Sequence, residues 1–568
     1  MIILTLINKK EILKRVVKMK KKYALGLLTV CGVVLAGCST GGNSSKSSDS
    51  SKEASAKQEI SVVVQQEMPS GDLSLATDTI SFSALNNVYE GLYRLDKDNQ
   101  PQPAGAAEKA KVSEDGLTYT VKLRKAAKWS NGDPVTAKDY VFGWQRTADP
   151  KTAAEYAYLF ALVKNGEAII NGEKPVTDLG IKAVDDYTLE IQLEKATPYF
   201  PYLMAFPSFF PQHEATVKEF GDAYATKSDK SVYNGPFTLE GFDGPGTDTE
   251  WAYKKNDTYW DAKNVKLDKV NVNVVKESST ALNLFKDGQA DDVILTGELA
   301  KQMKGDAAYL TQPDARTTYL EVNQREANSP YKNANLRRAI SYAIDRKALV
   351  NNILGDGSKV ATGLIPTGNM TGPDGQDFTK ASKGKVEFDK KKAKEYWEKA
   401  KSELGINSLT IELVADDTDA TKKVSEYLQN SLQDTLEGVK VNVTPVPFSV
   451  RLDRGNKGQF DMIVSGWGAD YLDASSFTDL FVTGNSYNRG KWSNAEYDKL
   501  VDASGNADAT DEEKRWDDLL NAEKVLLDES GVIPVFYKSE AHLRNPNVTG
   551  IVAHPAGAQY DYKWVVVK

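Results

Sequence analysis

The chain has 568 residues, 40% hydrophobic and 26% charged. This is the balance of a globular protein, too long for one ordinary domain, so two or three lobes are expected. Its net charge of −8 argues against a nucleic-acid binder, which normally presents a basic face.

The N-terminus reads as a targeting segment. Lys9 to Lys22 is crowded with positive charge, and YALGLLTVCGVVLAG (23–37) follows as a short apolar run. A membrane span needs about 20 apolar residues, so this run is a signal-peptide core. It ends in Leu35-Ala36-Gly37-Cys38, which resembles the bacterial lipobox. That resemblance implies cleavage after residue 37 and a lipid such as palmitate on Cys38. MKKKYALGLL from Met19 is a complete charged-plus-apolar start by itself, so Met1 and Met19 both fit as initiators. Removing 1–37 takes eight Lys/Arg and one Glu with it, leaving a charge of about −15. Membrane contact must then come from lipid rather than from a basic surface. The only cysteines are Cys31 and Cys38, so the mature body has no disulfide, cysteine nucleophile or thiolate metal site.

The Ser-rich run STGGNSSKSSDSSKEASA (39–56) lacks the apolar residues to order itself. As a coil it spans on the order of 25 Å, a tether between anchor and body. EISVVVQQ (59–66) reads as a buried strand. LTYTVKLR (117–124) and YTLEIQLE (187–194) alternate apolar and polar residues, as half-buried strands do. In KWSNGDPVTAKDYVFGWQR (128–146), Asn131-Gly132 marks a hairpin turn and Thr136 caps a helix carrying Tyr140, Val141 and Trp144. GFDGPGTD (241–248) reads as a loop, and Asp291-Asp292 as a solvated turn beside the strand VIL. NLRRAISYAIDRKALVNNIL (335–354) has helical periodicity, with Leu336, Ala339, Ile340, Ala343 and Ile344 on one face. Further helices fit 391–404 and 424–436, and strands fit 409–415 and 439–446. The second half therefore alternates β-α-β, an α/β lobe. FDMIVS (460–465) is a strand leading into GWGADYLD (466–473), where Asp470 is either a turn cap or an anion awaiting a cation.

Catalytic and metal signatures are missing. The three histidines are His213, His542 and His554, and HEATV (213–217) lacks the second histidine of a zinc-protease helix. There is no nucleophile elbow, Walker loop or dinucleotide glycine pattern.

Six segments in register resemble one family. YEGLYRLD (89–96), the 115–146 stretch, YNGPF (233–237), NDTYWDAKNVKLDKV (256–270), LRRAISYAIDRKALV (336–350) and GWGADYLD are similar to segments of the oligopeptide-binding solute receptors of ABC importers, from about Glu59 to the C-terminus. The resemblance implies an α/β, two-lobed periplasmic-binding-protein-like fold (type II, cluster C) with an extra inserted domain. Domain I would comprise 59–90, 233–315 and 535–568, the inserted domain II 91–232, and domain III, the second ligand lobe, 316–534.

The family match gives Asp470 the ammonium of the peptide's first residue. The peptide backbone would pair with Ser465, Gly466 and Trp467 on one side and with the Thr77 and Thr79 region on the other, and Tyr156 falls at a further contact position. Trp467 reads equally as core packing. No cofactor is implied. The partners implied are oligopeptides and the permease and ATPase subunits of an importer. The location implied is the outer face of a bacterial cytoplasmic membrane, of Gram-positive type, with the protein as a lipid-anchored monomer. Two departures stand out. Enterobacterial members carry a disulfide, and a basic residue two places before the Gly-Trp pair that meets the peptide carboxylate; Val464 stands there in this chain. Carboxylate capture is thus in doubt and longer peptides are expected. Alternative readings are a signalling-peptide receptor, a surface chaperone or peptidase, and a nickel or haem receptor, the last weakened by so few histidines.

Overall fold

The computed structural model describes residues 57–568. The expected signal peptide, Cys38 and the tether up to residue 56 lie outside the described residues. The β-rich runs form one long, mixed sheet. Its order is Val439–Val446, Leu409–Asp416, Met462–Gly468, Tyr309–Val322, Ile533–Arg544, Asp292–Leu295, Glu59–Val64, Lys269–Val274, Glu250–Lys255 and Phe237–Glu240. Only two strands are long enough to serve both halves. Tyr309–Val322 and Ile533–Arg544 are antiparallel, with 14 and 12 residues. One end of the pair joins Asp292–Leu295 in the first lobe, and the other end joins Met462–Gly468 in the second. Their register slips between Pro313 and Thr317. A bulge bends a strand and frees local pairing, so the chain turns from one lobe to the other at Asp314–Arg316.

The second lobe is the expected β-α-β unit. Helices Lys390–Leu404 and Asp419–Thr435 flank the parallel strands Leu409–Asp416 and Val439–Val446. Its core holds Trp397, Ile411, Leu413, Leu428 and Met462. Periodicity predicts one helix over 335–354; the structure breaks it. Ala334–Tyr342 ends, and helical structure resumes at Arg346–Ala348 and continues as a wider π-turn over Leu349–Leu354. Asp345 accepts the N–H of Ala348, and the buried Arg346 guanidinium donates to the carbonyls of Ser341, Ile344 and Pro534. Those local bonds compete with helix continuation.

A separate antiparallel sheet is ordered Lys111–Val112, Thr118–Lys122, Thr188–Gln192 and Ile181–Asp185. The alternation is as read: Tyr119, Val121, Leu189 and Ile191 are buried. Helix Ala137–Ala148 starts at Thr136, which forms a capping box with Asp139. Trp144 on this helix is fully buried, edge-on to Phe160, Phe200 and Phe209, and its indole N–H donates to the Phe209 carbonyl at 2.8 Å. Trp144→Ala is expected to cost about 3–5 kcal/mol, read as a lower urea midpoint.

Asp291 and Asp292 are not a solvated turn. Asp291 accepts from the Ser61 N–H and from Asn545. Asp292 is buried and pairs with Arg544 and His542, both on the hinge strand. Strand pairing of Asp292 with Arg544 sets these charges side by side, which a linear reading does not show. His542 also meets Tyr560, whose hydroxyl donates to Glu540. The carboxylates raise the imidazole to about 9, against the opposing effect of burial. A raised folded-state pKa contributes stability below about 6.5 that disappears as pH rises through about 9. His542→Gln should flatten that loss, measured as the urea midpoint from pH 6 to 10.

No helix among the described residues is long and apolar enough to cross a membrane. No group of three or more His, Cys, Asp or Glu among them could hold a metal ion.

Candidate functional site

The strand Met462–Gly468 is paired unevenly. Along one edge all seven residues match Tyr309–Val322, with Ser465 opposite Tyr319, Gly466 opposite Thr318 and Trp467 opposite Thr317. Along the other edge only Met462 and Ile463 are covered, by Leu413 and Val414. From Val464 to Gly468 the second edge has no strand partner among the described residues. An uncovered edge is a row of unmet backbone donors and acceptors, a template for another chain.

The edge leads to Asp470. Its carboxylate is 7% exposed. Oδ1 accepts from the Tyr156 hydroxyl at 3.0 Å, and Oδ2 is buried without a hydrogen-bond partner. Trp467, Tyr156 and Tyr487 pack beside it: Trp467 lies nearly parallel to Tyr156 at 6.0 Å and tilts over Tyr487 at 4.7 Å. Burial in this aromatic box pushes the Asp470 carboxyl up to about 8, only partly offset by the Tyr156 and Tyr158 hydroxyls. A carboxylate that accepts so few hydrogen bonds is short of a cation. It does not cap the next turn. Asp473 does that, accepting the N–H of Ser475 at 2.9 Å.

Six of the seven expected contact residues line one cavity of about 490 Å³: Thr77, Thr79, Tyr156, Gly466, Trp467 and Asp470. Ser465 lines the adjoining cavity of about 840 Å³, which shares Gly466 with the first. Trp467 is both cavity wall and part of the hydrophobic core. The Thr77–Thr79 wall differs from a strand. Asp78 caps helix Thr79–Val88 by accepting the Ser81 N–H, so this wall offers a helix start in place of a second ladder.

Sequence reading missed the cations of the site. Arg316, Arg451 and Arg489 also line the 490 Å³ cavity. Arg451 had a legible signal. Helix Phe448–Lys457 buries Phe448, Arg451, Leu452 and Gly455, the i, i+3, i+4, i+7 stripe that normally holds apolar residues. Arg316 gave none, because only the bulge aims it into the cleft.

The two lobes are shut on this space. Gln66 donates to Asp416 at 2.6 Å, Lys276 bridges Glu67 and Asp417, and Asn456 donates to Glu155 at 2.5 Å.

Two lobes joined by a pair of shared strands, closed over a one-sided strand edge that ends in a lone carboxylate, define a solute-binding protein of the hinged-cleft class. The description of the bacterial extracellular solute-binding proteins, family 5, matches residues 100–489, and the chain belongs to that family. It is 36% identical to the dipeptide-binding protein of Lactococcus lactis, over 97% of this chain and all of that one. The structure of Listeria monocytogenes OppA bound to peptide superposes with a TM-score of 0.87 at 43% identity, covering 90% of this chain and 99% of that one. The structure of the pheromone receptor PrgZ superposes equally, with a TM-score of 0.87 at 42% identity over 90% and 100%.

Proposed function

We propose that the protein binds oligopeptides in the interlobe cleft and delivers them to an ABC importer. The carrying observation is the uncovered edge Val464–Gly468 ending at Asp470. A peptide laid on that edge gains main-chain hydrogen bonds without regard to its side chains, and its ammonium reaches the Asp470 oxygen that has no partner. Tyr156 orients the other oxygen. Similarity to the Lactococcus dipeptide-binding protein and to peptide-bound Listeria OppA supports this reading. The bound peptide undergoes no chemistry: a doubly labelled peptide should be recovered intact, and cleavage products would replace this reading with a peptidase.

The receptor sits outside the cytoplasmic membrane, held by lipid on Cys38 through the Ser-rich tether, in a Gram-positive type of envelope, and acts as a monomer. Cys38→Ala should move it from the membrane fraction to the medium; retention in the membrane would refute the anchor. A second reading has a specific support, the likeness to pheromone receptor PrgZ. In that case a narrow set of signalling peptides replaces the broad one, and binding across a randomised peptide library separates the two.

The deciding test is calorimetry on protein starting at residue 39, unfolded and refolded to strip bound peptide. The titrants are a mixed octapeptide and its N-acetylated twin. Binding that needs the free amine supports the site. Equal binding of both removes the ammonium from it.

A further inference from the structure

Two arginines in the cleft form no ion pair within 4 Å among the described residues. Arg451 is 4% exposed, its Nε is buried without a hydrogen bond, and it forms no ion pair within 4 Å among the described residues. It faces the Phe448 ring at 5.1 Å, and burial lowers its pKa, with Asp416 as the nearest offsetting charge. Arg316 makes one long hydrogen bond, 3.4 Å to the Thr79 hydroxyl. Both arginines line the two adjoining cavities of the cleft together with Gly466. Arg316 lies across the cleft floor: a Cβ on Gly466 would stand 3.3 Å from its Nε. Asp78, on the same cavity wall, feels the Arg316 charge but forms no ion pair with it within 4 Å, and its Oδ2 has no hydrogen-bond partner; the other charges nearby are engaged. Lys538 pairs with Glu540, and Asp416 accepts from Gln66. Arg489 donates to Asn456 and has Glu321 as its strongest electrostatic neighbour.

We infer that Arg316 and Arg451 form a carboxylate-recognising subsite, facing Asp470 along the strand edge. A guanidinium without a counter-ion is costly when buried, as Arg451 is, and less so when half-buried, as Arg316 is, and a planar carboxylate matches its fork of donors. Asp470 and the two arginines, none of them in an ion pair among the described residues, thus stand in the order that a zwitterion requires. Spacing fixes where the carboxylate falls. Arg316 is level with Gly468, two residues before Asp470, and its guanidinium reaches back to Gly466. At the strand rise this is roughly 7–13 Å from the ammonium, the second to fourth residue of an extended ligand. The carboxylate is the C-terminus of a short peptide or the side chain of an Asp or Glu in a longer one. Val464, at the place where enterobacterial members carry a basic residue, is an uncharged wall of the same cavity; the positive charge comes from the hinge bulge and a neighbouring helix.

This inference rests on the peptide-binding reading, so the test separates them. The probes are a neutral C-amidated octapeptide, its variants with Glu at position 2, 3 or 4, and dialanine, trialanine and tetraalanine as free acids and as amides. Calorimetry uses wild type, Arg316→Gln and Arg451→Gln, with Arg451→Lys as a milder variant should the glutamine fail to fold. In the wild type a carboxylate should raise affinity at least about tenfold over its uncharged counterpart, and in each glutamine variant that ratio should fall towards one. A ratio above one only for the short free acids identifies the C-terminus, and one only for the Glu octapeptides identifies a side chain; either supports the subsite. Ratios near one for every pair in the wild type, or ratios that survive both substitutions, overturn it while leaving peptide binding intact. Failure of the wild type to bind any probe overturns the peptide reading and this inference with it.

Discussion

Asp470→Asn is expected to weaken a free-amine octapeptide by about 2–5 kcal/mol, roughly 30- to 5,000-fold. The size follows from desolvation. The carboxylate is 7% exposed, and one oxygen has no partner, so an ammonium placed there interacts in a dry, aromatic setting where charge is weakly screened. The N-acetylated peptide should distinguish wild type from variant far less, because it brings no cation. Equal losses for both peptides would mean that the substitution disturbs the cleft rather than the ion pair. The empty protein should respond in the opposite sense. Burial pushes the carboxyl up to about 8, so keeping it charged costs the folded state nothing below the ordinary value of 3.8 and progressively more as pH rises towards 8. At pH 8 the ligand-free Asn variant should therefore unfold at a higher urea midpoint than wild type, with little difference near pH 4. A protein that gives up stability to hold a binding charge shows this trade.

A loss of stability of about 3–5 kcal/mol is expected from Asp561→Ala. Asp561 is fully buried and accepts from Arg94 Nε at 2.7 Å. Two other nitrogens of that guanidinium are buried without hydrogen bonds. Arg94 holds the Asp561 carboxyl below the usual range despite burial, so the pair is ionised and mutually dependent. Removing the carboxylate leaves an arginine charge in the interior without its ion-pair partner, with Glu90 as a weaker electrostatic neighbour. The pair also ties the C-terminal segment to the start of the inserted region, 467 positions away in sequence. A double variant, Arg94→Leu with Asp561→Leu, should recover much of the loss, since it removes both charges. If the single and double variants unfold alike, the pair contributes packing rather than charge compensation.

How much of this was legible in the sequence depended on the range of the interactions involved. The strands at 59–64, 118–122 and 188–192 and the helices at 137–148 and 419–435 follow local patterns, alternation or a 3.6-residue period with a capping residue. Such patterns are visible in a short window. The helix over 335–354 is interrupted at 343–345, where Arg346 reaches carbonyls of its own segment and of Pro534, and periodicity does not register a side chain competing for the backbone. Asp292 read as a turn residue because its partners, His542 and Arg544, are some 250 positions away.

The sequence by itself determined the α/β class and the alternating strands of the separate antiparallel sheet, because each leaves a mark among near neighbours. Asp470 was marked by its place after a buried strand and by the register of six family-like segments. Only the tertiary structure decided that its second oxygen has no partner, that the edge from Val464 to Gly468 is uncovered, and that Arg316 and Arg451 face the same space. These are facts about what is missing around a group once the chain has closed on itself. They depend on long-range pairing, on a bulge that redirects one arginine, and on two lobes meeting over a cleft, and none of these has a signature in the order of residues.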